Sequence, residues 1–256
     1  MKELNGLLDF AVELGRGAGD ITLQYYRNQP ETSTKDDGSY VTIADRQAEK
    51  YLRRQIAERF PEDGVLGEEE GKSSGRSGRR WIIDPIDGTF AFVHGVPFYG
   101  VLIALEIEGE MSLGVVNIPA LGELVSAAKG VGCFLNGERA RVSETAKLED
   151  ALLLSTDFAA CTRYGFGPAA ERLQARAKTS RTWGDCYGYV LLATGRADVM
   201  LDPVMNLWDC APLLPIMEEA GGTFTDWRGV RTASGGNSIA TNLLLFYEVM
   251  SVINGE

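Results

Sequence analysis

The apolar triplet Trp81-Ile82-Ile83 runs without a break into Asp84-Pro85-Ile86-Asp87-Gly88-Thr89, and this join limits the folds open to the chain more than any other stretch. A short apolar run bounded by turn chemistry reads as a buried strand. Two carboxylates therefore emerge at its C-terminal end, three residues apart. Pro85 fixes its own φ and biases Asp84 toward extended backbone. Gly88 permits a tight turn and a close backbone approach. If a helical turn opens at Gly88-Thr89, its free N–H groups make an anion site beside the acids. Hard cations take oxygen ligands and bridge protein carboxylates to phosphate oxygens, so the stretch suits phosphate chemistry with Mg²⁺. Read in isolation, it is also an Asp-Pro turn followed by an Asp-Gly turn.

Further acids flank it. Gly67-Glu68-Glu69-Glu70-Gly71 is a glycine-bounded acidic loop upstream, for which a solvated charge run is the alternative. Trp208-Asp209 precedes a helical stretch over 211–222, where an acid also complements the helix dipole. Pro212 fits a first turn there. Pro215 fits an interior poorly, so a late helix start or a kink is expected.

The charge balance decides which partners suit the chain. Across 256 residues there are 25 basic and 36 acidic side chains, a net charge of −11. That excludes nonspecific nucleic-acid binding, which needs a basic surface. It would also repel a phosphorylated metabolite unless positive charge is supplied locally. An apolar fraction of 45% and a charged fraction of 24% are ordinary for a globular chain, as one large domain or two modest ones. No apolar run approaches the roughly 18 residues of a membrane span. The opening segment MKELNGLLDFAVELG carries acids and reads as an amphipathic helix, not a signal peptide. Cys133, Cys161, Cys186 and Cys210 form no CxxC pair, which favours reduced thiols in the cytoplasm and disfavours zinc. The single histidine, His94, would have to serve any Ser-His or Cys-His scheme. A rim or partly buried histidine is the expectation, because Mg²⁺ prefers oxygen.

Leu4, Leu7, Leu8, Ala11 and Leu14 recur at helical spacing, and a polar stretch with turn chemistry at Asp37-Gly38 follows, enough for a short hairpin. Ala48, Leu52, Ile56 and Phe60 mark a second helix stopped by Pro61. Residues 67–80 read as a loop, mobile between Gly71 and Gly78. Residues 99–116, turning at Glu108-Gly109-Glu110, continue through 122–128 and the Asn136-Gly137 turn as an antiparallel meander. After about residue 145 short apolar strands at 152–154 and 197–201 alternate with helical stretches near 187–194, 211–220 and 243–253. Two halves follow, 1–145 and 146–256.

Taken together, Lys35, Val41-Thr42-x-x-Asp45, Gly67-Glu68-Glu69, WIIDPIDGT, FVHGVPFYGV, GCFLNGERARVS and LWDCAPLLPIMEEAGG resemble the inositol monophosphatase superfamily of Mg²⁺-dependent, lithium-sensitive phosphatases. The resemblance covers nearly the whole chain. It implies an α/β (α+β) fold, a layered αβαβα sandwich of the inositol monophosphatase and fructose-1,6-bisphosphatase type, with the site between its halves. It implies two or three Mg²⁺ ions on Glu68, Asp84, the Ile86 carbonyl, Asp87 and Asp209. Gly88 and Thr89 fall on the phosphate-binding turn. Thr89 with Asp45 falls on the group that orients the attacking water, Glu68 joins them in catalysis, and Lys35 and Glu69 complete the site. Phe90-Ala91 departs from the polar pair frequent in relatives. A homodimer is also implied.

Arg181-Thr-Trp183-Gly184-Asp185-Cys-Tyr187-Gly-Tyr189, ATGRADVMLDPVMNLWD and EEAGGTFTDWRG most resemble histidinol-phosphate phosphatases of this type, which act in histidine biosynthesis. Such a substrate carries an amine and an imidazole, and its pocket wants acids and an aromatic wall. Asp202 matches the substrate-contacting acid, Asp185 is a second candidate, and Arg181 and Trp183 belong to the same pocket. Tyr187 and Tyr189 could line the imidazole. A helix N-cap is the alternative for Asp185, and core packing for the aromatics. The other enzyme reading is an inositol-1-phosphate or broad sugar-phosphate phosphatase. A non-catalytic metal-binding or scaffold protein is a third, opposed by the intact carboxylates.

Overall fold

The computed structural model describes residues 2–35 and 38–255. In the first half the order is α1 (Lys2–Tyr25), β1 (Thr32–Thr34), β2 (Tyr40–Thr42), α2 (Ile43–Arg59), β3 (Gly64–Gly67), β4 (Gly71–Ser73), β5 (Arg79–Asp87) and α3 (Thr89–Val93). Then come β6 (Gly100–Ile107), β7 (Glu110–Ile118), β8 (Glu123–Ala128), β9 (Gly132–Leu135) and β10 (Glu138–Arg139). In the second half follow β11 (Leu152–Ser155), α4 (Phe158–Arg163), α5 (Gly167–Arg176), β12 (Thr179–Arg181), α6 (Asp185–Ala193) and β13 (Val199–Asp202). The chain closes with α7 (Leu207–Glu219), β14 (Gly222–Thr225), β15 (Ser238–Asn242) and α8 (Phe246–Asn254).

An eight-stranded sheet runs β10-β9-β8-β7-β6-β5-β3-β4, antiparallel except where β3 lies parallel to β5. A five-stranded sheet runs β12-β11-β13-β15-β14, with β12, β11 and β13 parallel. Three apolar layers separate and cover them. Leu7, Ala11 and Leu14 of α1 join Ala48, Leu52 and Ile56 of α2 on one face of the large sheet, against Trp81, Ile83 and Ile103. Tyr189 and Leu192 of α6 and Leu213 and Met217 of α7 fill the space between the sheets, touching Leu102 and Val116 on one side and Met200 and Phe224 on the other. Ala170 and Leu173 of α5 and Val249 and Val252 of α8 cover the outer face of the small sheet. The layers are thus αβαβα. The large sheet ends at Arg139 and the small one begins at Leu152, while the core around α6 and α7 is common to both.

The two N-terminal helices, the β1–β2 hairpin and the meander stand where the pattern put them. Asp37, half of the expected hairpin turn, lies outside the described residues. Two expectations need correction. Gly71–Ser73, read as loop, is an edge strand paired with β3. Its side chains are mostly exposed, so no burial pattern betrayed it. Helix α7 does not start late: it begins at Leu207 and runs through both Pro212 and Pro215. A helix-interior proline costs about 3 kcal/mol, and here tertiary packing outweighs it. Residues 210–217 of α7 are buried throughout. Gly114 of β7 lets the helix lie directly on the sheet, since a Cβ there would come within 2.1 Å of the Pro212 carbonyl oxygen.

Candidate active site

Alternation along β5 aims its acids. Trp81 and Ile83 face α1 and α2, whereas Ile82 packs on Ala104 and on Ala211 of α7. Asp84 shares the face of Ile82 and so points at the first turn of α7, which carries Asp209. Pairing between β5 and β6 slips between Asp84 and Asp87, around Pro85. Such a bulge re-aims side chains. It brings oxygens of Asp84, Asp87 and Asp209 within 4.8 Å of one another. Gly88 then takes a left-handed conformation (φ +79°, ψ 39°), as the sequence anticipated, and α3 opens at Thr89.

Each acid is held by backbone. Asp84 Oδ1 accepts the Ile86 N–H at 2.9 Å, and Asp87 Oδ2 accepts the Cys186 N–H at 2.6 Å. Asp209 Oδ2 accepts the Asn206 N–H at 2.7 Å. Thr89 Oγ1 stands 2.9 Å from the Ile86 carbonyl oxygen and 3.4 Å from Asp45 Oδ1. Asp45 Oδ2 in turn accepts from the Thr42 N–H and hydroxyl at 2.8 and 2.6 Å. Lys35 Nζ donates to Glu68 at 2.7 Å and to Glu69 at 2.6 Å.

The electrostatics are those of crowded acids. Burial, then repulsion from Glu68, Asp87 and Asp209, pushes the Asp84 carboxyl well up. Asp87, Asp209 and Asp185 are raised by burial first and by neighbouring carboxylates in addition. Burial lifts Asp45 to about 6 against the opposing bonds from Thr42. Burial alone would lower the Lys35 ammonium, but Glu68 and Glu69 together outweigh it and hold it raised. Burial and the Asp87 charge push the Cys186 thiol well up.

Glu68, Asp84, Ile86, Asp87, Gly88, Thr89, Asp185 and Asp209 line one cavity of about 320 Å³. Its lining contains no Lys, Arg or His among the described residues. Negative groups held together in this way, all oxygen donors, fit a hard divalent cation and not a soft one. Asp84, Asp87 and Asp209 are the carboxylates close enough together to hold it; Glu68, on Lys35, stands outside that trio.

An adjoining cavity of about 140 Å³ shares Asp87, Asp185 and Asp209 and adds Thr156, Asp202 and Met205. Asp202 is buried, accepting the Tyr189 hydroxyl at 2.8 Å and the Thr156 N–H at 3.3 Å. Asp185 is not an N-cap. It is the first residue of α6, at φ +49°, with Gly184 at the cap position. Its Oδ2 lies 3.0 Å from where a Cβ on Gly88 would be.

Arg181 and Trp183 are not brought in. Arg181 ends the edge strand β12, its guanidinium on the Thr179 hydroxyl and the Ser180 carbonyl, and Trp183 is exposed; neither lines either cavity. Tyr187 stacks on Phe98, and Tyr189 sits behind Asp202. The aromatics that do line the first cavity are Tyr40, Phe90 and Trp208. Phe90 is exposed and stacked between Tyr40 and His94. His94 is an exposed residue whose Nδ1 lies 2.8 Å from the Phe90 carbonyl oxygen, outside the cavity lining. Sequence reasoning missed Tyr40, Thr156 and Glu49, whose carboxylate accepts the N–H groups of Glu69 and Glu70. An acid on the inner face of α2, among Ala48 and Leu52, was the available signal for Glu49.

A sandwich of five layers with an acid cluster at its seam defines a metal-dependent phosphatase. Comparison with known proteins sharpens this. The profile of the inositol monophosphatase family matches residues 3–251, and the chain belongs to that family. It is 44% identical to a histidinol-phosphatase of Chlorobaculum parvum, over 97% of each chain. It is 41% identical to a histidinol-phosphatase of Mycobacterium tuberculosis, over 97% of this chain and 95% of the other. Among solved structures, the extragenic suppressor protein SuhB of Bartonella henselae superposes with a TM-score of 0.91 at 30% identity, covering 97% of this chain and 98% of its own. The chain is accordingly a phosphomonoesterase of the inositol monophosphatase family. Among its described residues no helix is long and apolar enough to cross a membrane.

Proposed function

We propose that the substrate is L-histidinol phosphate, hydrolysed to L-histidinol and inorganic phosphate in histidine biosynthesis. The observation that carries this reading is the acidity of the cavity beside the metal cluster. Asp185 and Asp202 join Asp87 and Asp209 in its lining, Asp157 lines it paired with Arg163, and no basic side chain lines it among the described residues. A leaving group that bears an amine gains charge-assisted hydrogen bonds there. A neutral polyol can donate its hydroxyls to these carboxylates but brings no cation to pair with them. The names and high identity of the two bacterial relatives support the same choice.

In this reading Glu68, Asp84, the Ile86 carbonyl, Asp87 and Asp209 would hold two or three Mg²⁺ ions, which would supply Lewis-acid charge for the phosphate. The protein's own groups do the rest. Gly88 and Thr89 receive the phosphate at the turn. Thr89 Oγ1, fixed between Ile86 and Asp45, orients the attacking water, and Asp45 takes its proton. The P–O ester bond breaks, the leaving oxygen takes a proton from a water molecule, which recovers one from Asp45, and the alcohol departs into the Asp185–Asp202 cavity. The same reading places a homodimer in the cytoplasm; light scattering at low concentration that finds a monomer refutes the dimer.

The deciding measurement compares kcat/KM for histidinol phosphate and inositol-1-phosphate under one set of Mg²⁺ conditions. Histidinol phosphate should be preferred by at least about tenfold, one charge-assisted hydrogen bond's worth. Equal or reversed values overturn the substrate assignment and favour a broad sugar-phosphate phosphatase.

A further inference from the structure

We propose that Glu49 and Arg53 are positioning residues that clamp the Gly67–Gly71 turn and thereby set the affinity of the site for its divalent cation. The proposal rests on Glu68 as a metal ligand. The turn between β3 and β4 carries Glu68, Glu69 and Glu70 in succession, and like charges so close would splay it. A fourth carboxylate, Glu49, is nonetheless buried beneath it with no exposed surface.

The contacts explain why. Glu49 Oε2 accepts the Glu69 N–H at 2.8 Å, and Oε1 accepts the Glu70 N–H at 3.0 Å. Arg53, one helical turn on, donates its Nε to Glu49 Oε1 at 2.8 Å, which neutralises the buried charge. Its Nη2 donates to the Gly71 carbonyl, and its Nε also lies 3.5 Å from Glu70 Oε2. The pair thus takes hold of three consecutive residues directly after Glu68. Gly67 closes the clamp from the other side. A Cβ at that position would stand 2.2 Å from Glu49 Oε1, so only glycine lets the carboxylate this close. Lys35 steers the Glu68 and Glu69 side chains, while Glu49 and Arg53 fix the backbone that carries them.

This arrangement makes a specific claim about metal binding. Groups that orient a metal's ligands typically control affinity by ten- to a hundredfold. Glu49→Gln puts an NH₂ against N–H donors and removes the charge opposite Arg53. Its Mg²⁺ dissociation constant, read by calorimetry without substrate, should rise by about ten- to a hundredfold. Mn²⁺ binding followed by electron paramagnetic resonance should weaken in parallel. At saturating Mg²⁺, kcat should return to within about threefold of wild type, since neither residue touches the reacting atoms. If Glu49→Gln fails to fold, Arg53→Lys carries the test. It keeps the charge but loses the fork to the Gly71 carbonyl, so it too should weaken Mg²⁺ binding. A folded variant that binds Mg²⁺ within twofold of wild type overturns the clamp. Wild-type protein that binds no Mg²⁺ overturns instead the metal assignment beneath it.

Discussion

Asp45 and Asp209 occupy the same position of two different helices. Each is the third residue of its helix, and each accepts through Oδ2 the backbone N–H of the residue before the helix, Thr42 at 2.8 Å and Asn206 at 2.7 Å. A capping device is thus used twice to hold an acid at the site. In Asp45 the other oxygen, Oδ1, is left toward Thr89, and Asp209 keeps a carboxylate oxygen within 4.8 Å of those of Asp84 and Asp87. The dual duty makes Asn a poor substitute, because its amide nitrogen must displace one of the two acceptors. Asp209→Asn should lose roughly two or more orders of magnitude in kcat/KM. Asp84→Asn should do the same. Each also removes one of several mutually repelling charges, so the metal-free variants should melt no lower than wild type in chelator. Wild-type activity in either variant contradicts the ligand assignment.

Chelation is the second test. Among the described residues no Lys, Arg or His lines the first cavity, and Lys35 beside it is already engaged by Glu68 and Glu69. Activity should vanish in chelator and return with Mg²⁺. Ca²⁺, which accepts looser coordination, should restore much less. Full turnover in chelator would remove the metal from the mechanism.

Gly88 is constrained twice, which gives the third. Its φ of +79° disfavours any residue with a Cβ, and that Cβ would lie 3.0 Å from Asp185 Oδ2. Gly88→Ala should therefore cost more than about 1 kcal/mol of stability by chemical denaturation. It should also reduce kcat/KM well beyond what the stability loss explains, by displacing the carboxylate that lines both cavities. An Ala variant with unchanged kinetics would show that the Gly88–Asp185 approach is incidental.

The acids were legible in the sequence because their geometry is local. Asp84, Asp87, Gly88 and Thr89 are fixed by one strand end and one turn, and Asp45 and Asp209 by their helix starts. The layer order was legible only through the resemblance, since alternation marks elements and not which sheet face each helix covers. What stayed hidden depends on distant contacts. Asp185 could be read as a pocket acid or as a cap, and only a positive φ and the approach of Gly88 from another element separate the two. Trp183 and Arg181 lie in the same short run as Asp185, yet the chain passes from the edge strand β12 into α6 there, and both stay outside the cavities. Pro215 argued locally against an uninterrupted helix and was overruled by the helix's burial between two sheets. The Glu49–Arg53 pair reads on its own as an ordinary salt bridge within a helix, and only the returning β3–β4 turn gives it something to hold.

Asp202 offers a test of substrate choice and pH response in one variant. Burial lifts its carboxyl to about 7 from the ordinary 3.8, against the bonds from Thr156 and Tyr189. If it pairs with the cationic part of the substrate, Asp202→Asn should lower kcat/KM for histidinol phosphate by about ten- to a hundredfold. An aryl phosphate, lacking the amine, should change little, so the ratio shifts and not merely the rate. The stability effect has a definite sign. The raised value means that the folded chain holds this proton more tightly than the unfolded chain. Stability is therefore lost as pH rises from the unfolded value to the folded one. With about 1.4 kcal/mol for each tenfold difference in proton affinity, the loss is at most about 4 kcal/mol. Asparagine does not titrate. In chelator, the melting temperature of Asp202→Asn relative to wild type should thus climb between about pH 5 and pH 8, by roughly 2–4 °C per kcal/mol. A difference that stays flat across that range would mean Asp202 is ionised throughout. Equal slowing of both substrates would make it structural or catalytic, and no slowing of either would place the amine elsewhere.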